Sequence, residues 1–218
     1  MKTRKAMLVV LLIASTVLPL YLQYQESRPP TIVLDGVTWT QVLRWNFKDG
    51  LYPEGQGWGD WAIVDGRLQL TADAGGLESV YLLPAQHSGD FLLETKVRVV
   101  RSFHPYYVAV QLVTRDSEQV NHESGFILLP EMDQAIVRHM VEKVDYVYTA
   151  VPVNMSIDYD VWHLMRFMVH NGRVRAFVDG NPIYDSNASY PVGEYHEPHL
   201  SVRYGIARFE YLRIFETP

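Results

Sequence analysis

Three dipeptides constrain this chain more than any other feature: Asp65-Gly66, Asn171-Gly172 and Asp179-Gly180. Each lies between short runs in which apolar and polar residues alternate. A two-residue hairpin loop needs positive φ at both positions, which Asn, Asp and Gly tolerate best. Such a dipeptide between alternating runs is therefore a strong hairpin signal. The run Ala62-Ile63-Val64 leads into the first turn and Arg67-Leu68-Gln69-Leu70 leaves it. Residues 162–170 and 173–178 flank the second turn, and the third leads into Asn181-Pro182-Ile183-Tyr184. In residues 91–99, Phe91, Leu93, Thr95, Val97 and Val99 share one face, and Leu92, Glu94, Lys96 and Arg98 the other. Further segments rich in strand formers cover 80–83, 107–113, 126–129, 135–141, 146–151, 199–204 and 209–215. About a dozen short strands at spacings of roughly 8–12 residues predict an all-β, antiparallel, two-sheet sandwich.

The composition fits that fold and narrows the function. Of 218 residues, 48% are hydrophobic and 20% charged, enough apolar material for one sizeable core. The formal charge of −6 argues against a nucleic-acid partner, because phosphate backbones attract basic surfaces. There is no cysteine, which excludes disulfides, thiolate metal sites and a cysteine nucleophile. The 14 Tyr and 5 Trp exceed what a core requires and point to rings presented at a surface.

Lys2, Arg4 and Lys5 precede an apolar run from Ala6 to Leu22. A basic flank followed by an apolar segment reads as an export signal, so one hydrophobic helix is expected ahead of the sandwich. Residues 1–24 form either an uncleaved signal anchor or a cleaved signal peptide. The anchor reading takes Tyr21 and Tyr24 as interfacial rings; the cleaved reading has only Ala14-Ser15-Thr16, inside the apolar run, as a small-residue site. Residues 25–30 (Gln-Glu-Ser-Arg-Pro-Pro) are a linker, and 31–218 are the β-sandwich domain. Both readings put that domain outside the cytoplasm, anchored to the cell membrane or secreted.

Four segments recur in a recognisable order: WAIVDGRLQL from Trp61, GDFLLETKVRV from Gly89, WHLMRFMVHNGRVRAFVDGNPI from Trp162, and ARFEYLRIF from Ala207. Together they resemble the concanavalin A-like lectin/glucanase superfamily, most closely its laminin-G-like and 3-keto-disaccharide hydrolase-like branch. The resemblance covers about Trp39 to Glu216 and implies a jelly-roll sandwich. Its motifs are scaffold elements, so it says more about fold than about activity.

Retaining glucanases of this superfamily carry three carboxylates on one strand, as E-x-D-x-E or E-x-D-x-x-E. Glu131 and Asp133 match the first two positions, and the third is Ala135 or Ile136. The acid/base is missing, although two working carboxyls about 5–5.5 Å apart are what retention needs. Glu131 and Asp133 are thus the catalytic candidates of an enzymatic reading. The resemblance also implies a structural calcium, for which Asp49 and Asp60 are candidate ligands. His196-Glu197-Pro198-His199 reads as a polar surface loop. For ligand binding the candidates are Trp58, Tyr106, Tyr107, Tyr146 and Tyr148, whose rings would stack on sugars. Trp61 and Trp162 stand in alternating contexts and are expected in the core. Asn154-Met155-Ser156 and Asn187-Ala188-Ser189 are glycosylation sequons.

Three functions follow. The first is a membrane-tethered, lectin-like module that binds carbohydrate or a cell-surface protein through its concave face and loops. The second is a glycoside hydrolase-type enzyme of the same fold. The third is a structural subunit of a cell-surface or membrane assembly.

Overall fold

A computed structural model describes residues 29–51, 55–73, 78–83, 85–103, 108–116, 123–141, 145–187 and 194–218. The expected N-terminal helix, Tyr106 and Tyr107 lie outside these residues. No helix among the described residues is long and apolar enough to cross a membrane.

The described residues form two antiparallel sheets. The first contains β1 (Thr31–Leu34), β2 (Val37–Asn46), β4 (Asp60–Val64), β5 (Arg67–Ala72), β8 (Phe91–Ser102), β13 (Trp162–His170), β14 (Arg173–Val178), β15 (Asn181–Asn187) and β17 (Gly205–Glu216). Its order is β1-β2-β17-β8-β13-β14-β15, with β5 joined to β17 and β4 to β5. The second contains β3 (Gln56–Trp58), β6 (Ser79–Leu82), β7 (Gln86–Ser88), β9 (Ala109–Asp116), β10 (Glu123–Leu129), β11 (Gln134–Val141), β12 (Asp145–Pro152) and β16 (Glu194–Arg203). Its order is β12-β11-β10-β9-β16-β6-β3, with β7 on β16. Neighbours distant in sequence, such as β17 on β8 and β16 on β9, knit each sheet together.

The turns behave as the dipeptides predict. Asp65, Asn171 and Asp179 have φ of 52°, 49° and 50°, and each following glycine is also positive. A further Asp35-Gly36 turn joins β1 to β2. The alternation holds as well. Leu93, Val97, Met165, Phe167, Phe209 and Ile214 face inward from the first sheet, and Tyr81, Leu112, Phe126, Val137 and Leu200 meet them from the second. Each of these large side chains contributes roughly 1.5–3 kcal/mol by leaving water.

Trp61 packs edge-on against Tyr81 at the border of this core, with ring centroids 5.7 Å apart. Trp162 corrects the expectation of a core position. His163, Met165, Phe167 and Val169 take the inward face of β13, so period two turns Trp162 outward.

The outer face of the first sheet has its own packing. A second apolar cluster joins Trp39, Leu92, Met168, Phe177 and Phe215, with Ile32 and Leu34 of β1 packed on it. The β1–β2 hairpin thus folds over this face, and Asp35 in its turn pairs with Arg175 of β14. Beside the cluster, Glu94 is almost fully buried between two arginines. Its carboxylate accepts from Arg166 Nε at 2.8 Å and from Arg213 Nη1 at 3.0 Å, which ties β13, β8 and β17 together. Removing one member of a buried charge network leaves the others uncompensated, at a cost of about 3–5 kcal/mol. Glu94→Leu should therefore destabilise the protein by roughly 3 kcal/mol in denaturant unfolding, and adding Arg166→Met with Arg213→Leu should recover much of that loss. A change within about 0.5 kcal/mol for the single variant would show the network to be dispensable.

Candidate binding face of the second sheet

The second sheet spends one face on the core, and the other turns away from the first sheet. Strand register places its residues in rows. Trp58, Val80, Ser201, Gln111, Ile127 and Ile136 are successive cross-strand neighbours in one row. Leu82, His199, Val113, Gly125, Arg138 and Tyr148 form the next. Seven strands at 4.7–4.9 Å spacing make this face about 28 Å wide, which suits an oligomer better than a single small ring.

The centre of the face is a polar lattice. Gln111 stands on β9 with its amide fixed at both ends. Its Nε2 donates to Glu78, and its Oε1 accepts from Arg138 Nη2 at 3.2 Å. Glu78 also accepts from Ser201 Oγ at 2.6 Å and pairs with Arg203 at 2.7 Å. Arg138 reaches Glu123 with the same Nη2. Arg115 lies between Glu123 and Glu197, at 3.8 and 3.4 Å. Gln111, Ser201 and His199 are nearly inaccessible although they stand on the outward face. Buried polar groups persist when hydrogen-bonded, and the lattice does this for Gln111 and Ser201, whereas His199 Nδ1 and Arg138 Nε have no hydrogen-bond partner among the described residues.

His199 is the least expected member. The stretch His196-Glu197-Pro198-His199 is not the surface loop that its polarity suggests. It is a bulge within β16, where the register slips between His196 and His199 and Glu197 takes φ of 53°. Pro198 lacks an N–H, so a bulge is one of the few places a strand admits it. The slip turns His199 onto the outward face, where its Nε2 lies 3.5 Å from Glu123 Oε1. Burial first, then the guanidinium groups of Arg138 and Arg115, push its pKa down to about 3, while the Glu197 backbone acts weakly in the other direction. At neutral pH the ring is uncharged, and the contact with Glu123 is not an ion pair.

Aromatic rings stand at both edges. Trp58 on β3 is 47% exposed and Tyr148 on β12 is 65% exposed. The glycines flanking Trp58 let β3 approach β6. A Cβ on Gly57 would come within 2.1 Å of the Val80 carbonyl oxygen, and one on Gly59 within 2.7 Å of Ser79 Cα. The Gly-Trp-Gly sequence is thus a close backbone approach that presents an indole. Tyr146 of β12 pairs with Met140 of β11.

The carboxylate candidates lie elsewhere. Glu131 belongs to the 3-10 turn Pro130–Met132 between β10 and β11, and Asp133 follows it in the left-handed region. They occupy a turn, not alternate positions of one strand. Glu131 accepts from the Tyr159 hydroxyl, and burial together with this carboxylate raises the Tyr159 pKa. Asp49 ends the 3-10 turn Phe47–Asp49, and Asp60 opens β4. Among the described residues no three His, Asp or Glu side chains converge on a metal position.

The architecture has clear counterparts. The carbohydrate-binding module CBM66 from Bacillus subtilis aligns with a TM-score of 0.57 at 18% identity, over 72% of this chain and 91% of its own. An endo-β-1,3-glucanase from Pyrococcus furiosus aligns at 0.68 and 10% identity, over 87% of this chain and 99% of its own. The chain has the concanavalin A-like jelly-roll fold. The carbohydrate recognition domain of Emp47p shares it, at 0.60 and 12% identity over 79% of this chain and 94% of its own. No family profile and no curated protein sequence matches the chain.

The lattice carries a pH signature. His199 binds a proton more weakly folded than unfolded, so the unfolded chain holds more protons between about pH 3 and 6.5. Stability from this group is complete above about pH 6.5 and is lost as pH falls toward 3, at up to about 1.4 kcal/mol per pH unit. Thermal unfolding across this window should show a shallower acid limb for His199→Gln than for the wild type. Equal slopes would contradict a buried neutral His199.

Proposed function

We propose that this chain is a lectin-like carbohydrate-binding module that uses the outward face of its second sheet. The observation that carries the reading is a hydrogen-bonding lattice fixed before any ligand arrives, flanked by exposed rings at both edges. Sugars present apolar C–H faces and a dense set of hydroxyls. Trp58 and Tyr148 offer stacking surfaces for the first, and Arg138, Glu123 and Glu78, held in place by the buried Gln111, offer donors and acceptors for the second. Preorganisation lowers the cost of ordering side chains on binding. Binding modules and recognition domains among the proteins of this fold support the same reading.

Binding is favoured over hydrolysis because Glu78 and Glu123 are each tied to arginine, whereas glycoside cleavage needs one carboxyl free to deliver a proton. The reading extends to location. Residues 1–24 hold the module at a membrane, and residues 31–218 work on the extracytoplasmic side.

Full-length protein in detergent should bind members of a glycan set spanning β-glucans, β-galactans and mannose-rich chains, measured by calorimetry, without releasing reducing ends. Arg138→Ala and Trp58→Ala should each weaken binding by roughly tenfold or more. Glycans that bind wild type and both variants alike would remove this face from the account. Reducing ends that disappear in Glu131→Gln would establish hydrolysis instead.

A further inference from the structure

Opposite the proposed glycan face, the outer surface of the first sheet carries charge of the sign the whole chain lacks. The chain is −6 overall. On this surface Lys96 and Arg98 of β8, Arg67 of β5 and Arg208 of β17 crowd one indole and its neighbour. The Arg67 and Arg98 guanidinium carbons lie 5.2 Å from the Trp162 ring centroid, and Lys96 Nζ lies 5.5 Å from it. Arg98 stands directly opposite Arg208 across the strands, an arrangement that destabilises a sheet unless negative charge lies nearby. Cations outnumber the anions beside them: Glu210 pairs with Lys96 at 3.0 Å, the well-exposed Asp65 lies 3.7 Å from Arg208, whose Nε also donates to Gln69, and exposed Asp60 stands opposite Thr71 on the same face. Arg98 Nε is buried with no hydrogen-bond partner among the described residues. One bulge further along β8, Arg101 is exposed over the Phe103 ring.

A second observation concerns where the chain comes in. The Pro30 carbonyl accepts from Gln41 N at 2.9 Å, so the start of β1 is pinned to β2, and the β1–β2 hairpin lies over this same face. Val33 and Val42 of the hairpin are 72% and 51% exposed. Residues 25–30 separate Pro30 from the N-terminal apolar segment and reach at most about 20 Å.

We propose that the outer face of the first sheet rests on an anionic lipid bilayer, with Lys96, Arg98, Arg101 and Arg208 over the headgroup phosphates. The inference rests on the reading that residues 1–24 anchor the chain. A short tether ending on this face holds it near the membrane, and a cationic surface within a Debye length of anionic headgroups is drawn onto them. Trp162 among the cations suits the interface, where indoles concentrate. The second sheet then faces away from the membrane, with its glycan lattice turned outward.

The chain has no cysteine, so single nitroxide labels can be placed cleanly. Full-length Thr71→Cys, Val42→Cys and Ala150→Cys are labelled and mixed with vesicles of phosphatidylcholine alone or with added phosphatidylglycerol. With phosphatidylglycerol present, the labels at 71 and 42 should lose contact with a water-soluble relaxation agent several-fold, and the label at 150 should not. Arg98→Gln with Arg208→Gln should weaken this docking by roughly tenfold or more, as should high salt. A label at 71 equally accessible with both lipids overturns the proposal. So does retention of the chain by dextran sulfate that depends on Arg98 and Arg208 while that label stays aqueous, which would assign the patch to an anionic polysaccharide. Flotation with phosphatidylcholine vesicles alone reads the anchor separately. Failure there, with shielding on anionic vesicles, leaves the docking face standing and removes the anchor.

Discussion

A strand has two faces, and in the second sheet one of them is committed to the core. Tyr81, Leu112, Phe126, Val137 and Leu200 must turn toward the first sheet, so period two sends Gln111, Arg138, His199 and Ser201 the other way. Everything proposed for this protein depends on that division. The outward set is polar but too closely packed to be hydrated side by side. Cross-strand hydrogen bonds fix Gln111, Arg138 and Ser201 in place, and burial makes His199 neutral. Rigidity is the by-product of satisfying buried polar groups, and it is also what recognition of a hydroxyl-rich ligand requires.

The first sheet solves the same problem differently. Its outward residues fall into three zones along the strands: an apolar cluster under the β1–β2 hairpin, the Glu94 network, and the cations around Trp162. The hairpin lets Trp39 and Phe215, large rings on an outward face, escape water. The Glu94 network ties β8, β13 and β17 together through buried charge. The third zone carries more cations than anions. The two outer faces therefore differ in kind, one a lattice of mixed charge and the other with an excess of cations, and this asymmetry gives the sandwich a direction.

Much of the fold was legible in the sequence because hairpin turns and alternation are local signals. The three Asp-Gly and Asn-Gly turns and the inward set of β8 appear where the residues place them. The site was less legible. Trp58 could be singled out because two glycines flank it, and Tyr146 and Tyr148 because they alternate in a β-rich run. Gln111, Glu78, Glu123 and Arg138 carry no local mark, since their partnership depends on which strands become neighbours. His199 was obscured by Pro198, whose presence suggests a loop until the bulge is seen. Trp162 misled because alternation fixes that two faces exist but does not say which one meets the core. The N-terminal hairpin carried its own Asp35-Gly36 signal, and short strands on either side made it easy to pass over.

The central claim is that ligand recognition belongs to the outward face of the second sheet. Its most direct test is a titration of isotope-labelled protein with oligosaccharides of a glycan that it binds in calorimetry, followed by backbone amide chemical shifts. The account predicts perturbations concentrated in β9, β10, β11 and β16, running toward Trp58 on one side and Tyr148 on the other. Perturbations confined to β8, β13 and β17, or to the turn holding Glu131 and Asp133, would contradict it.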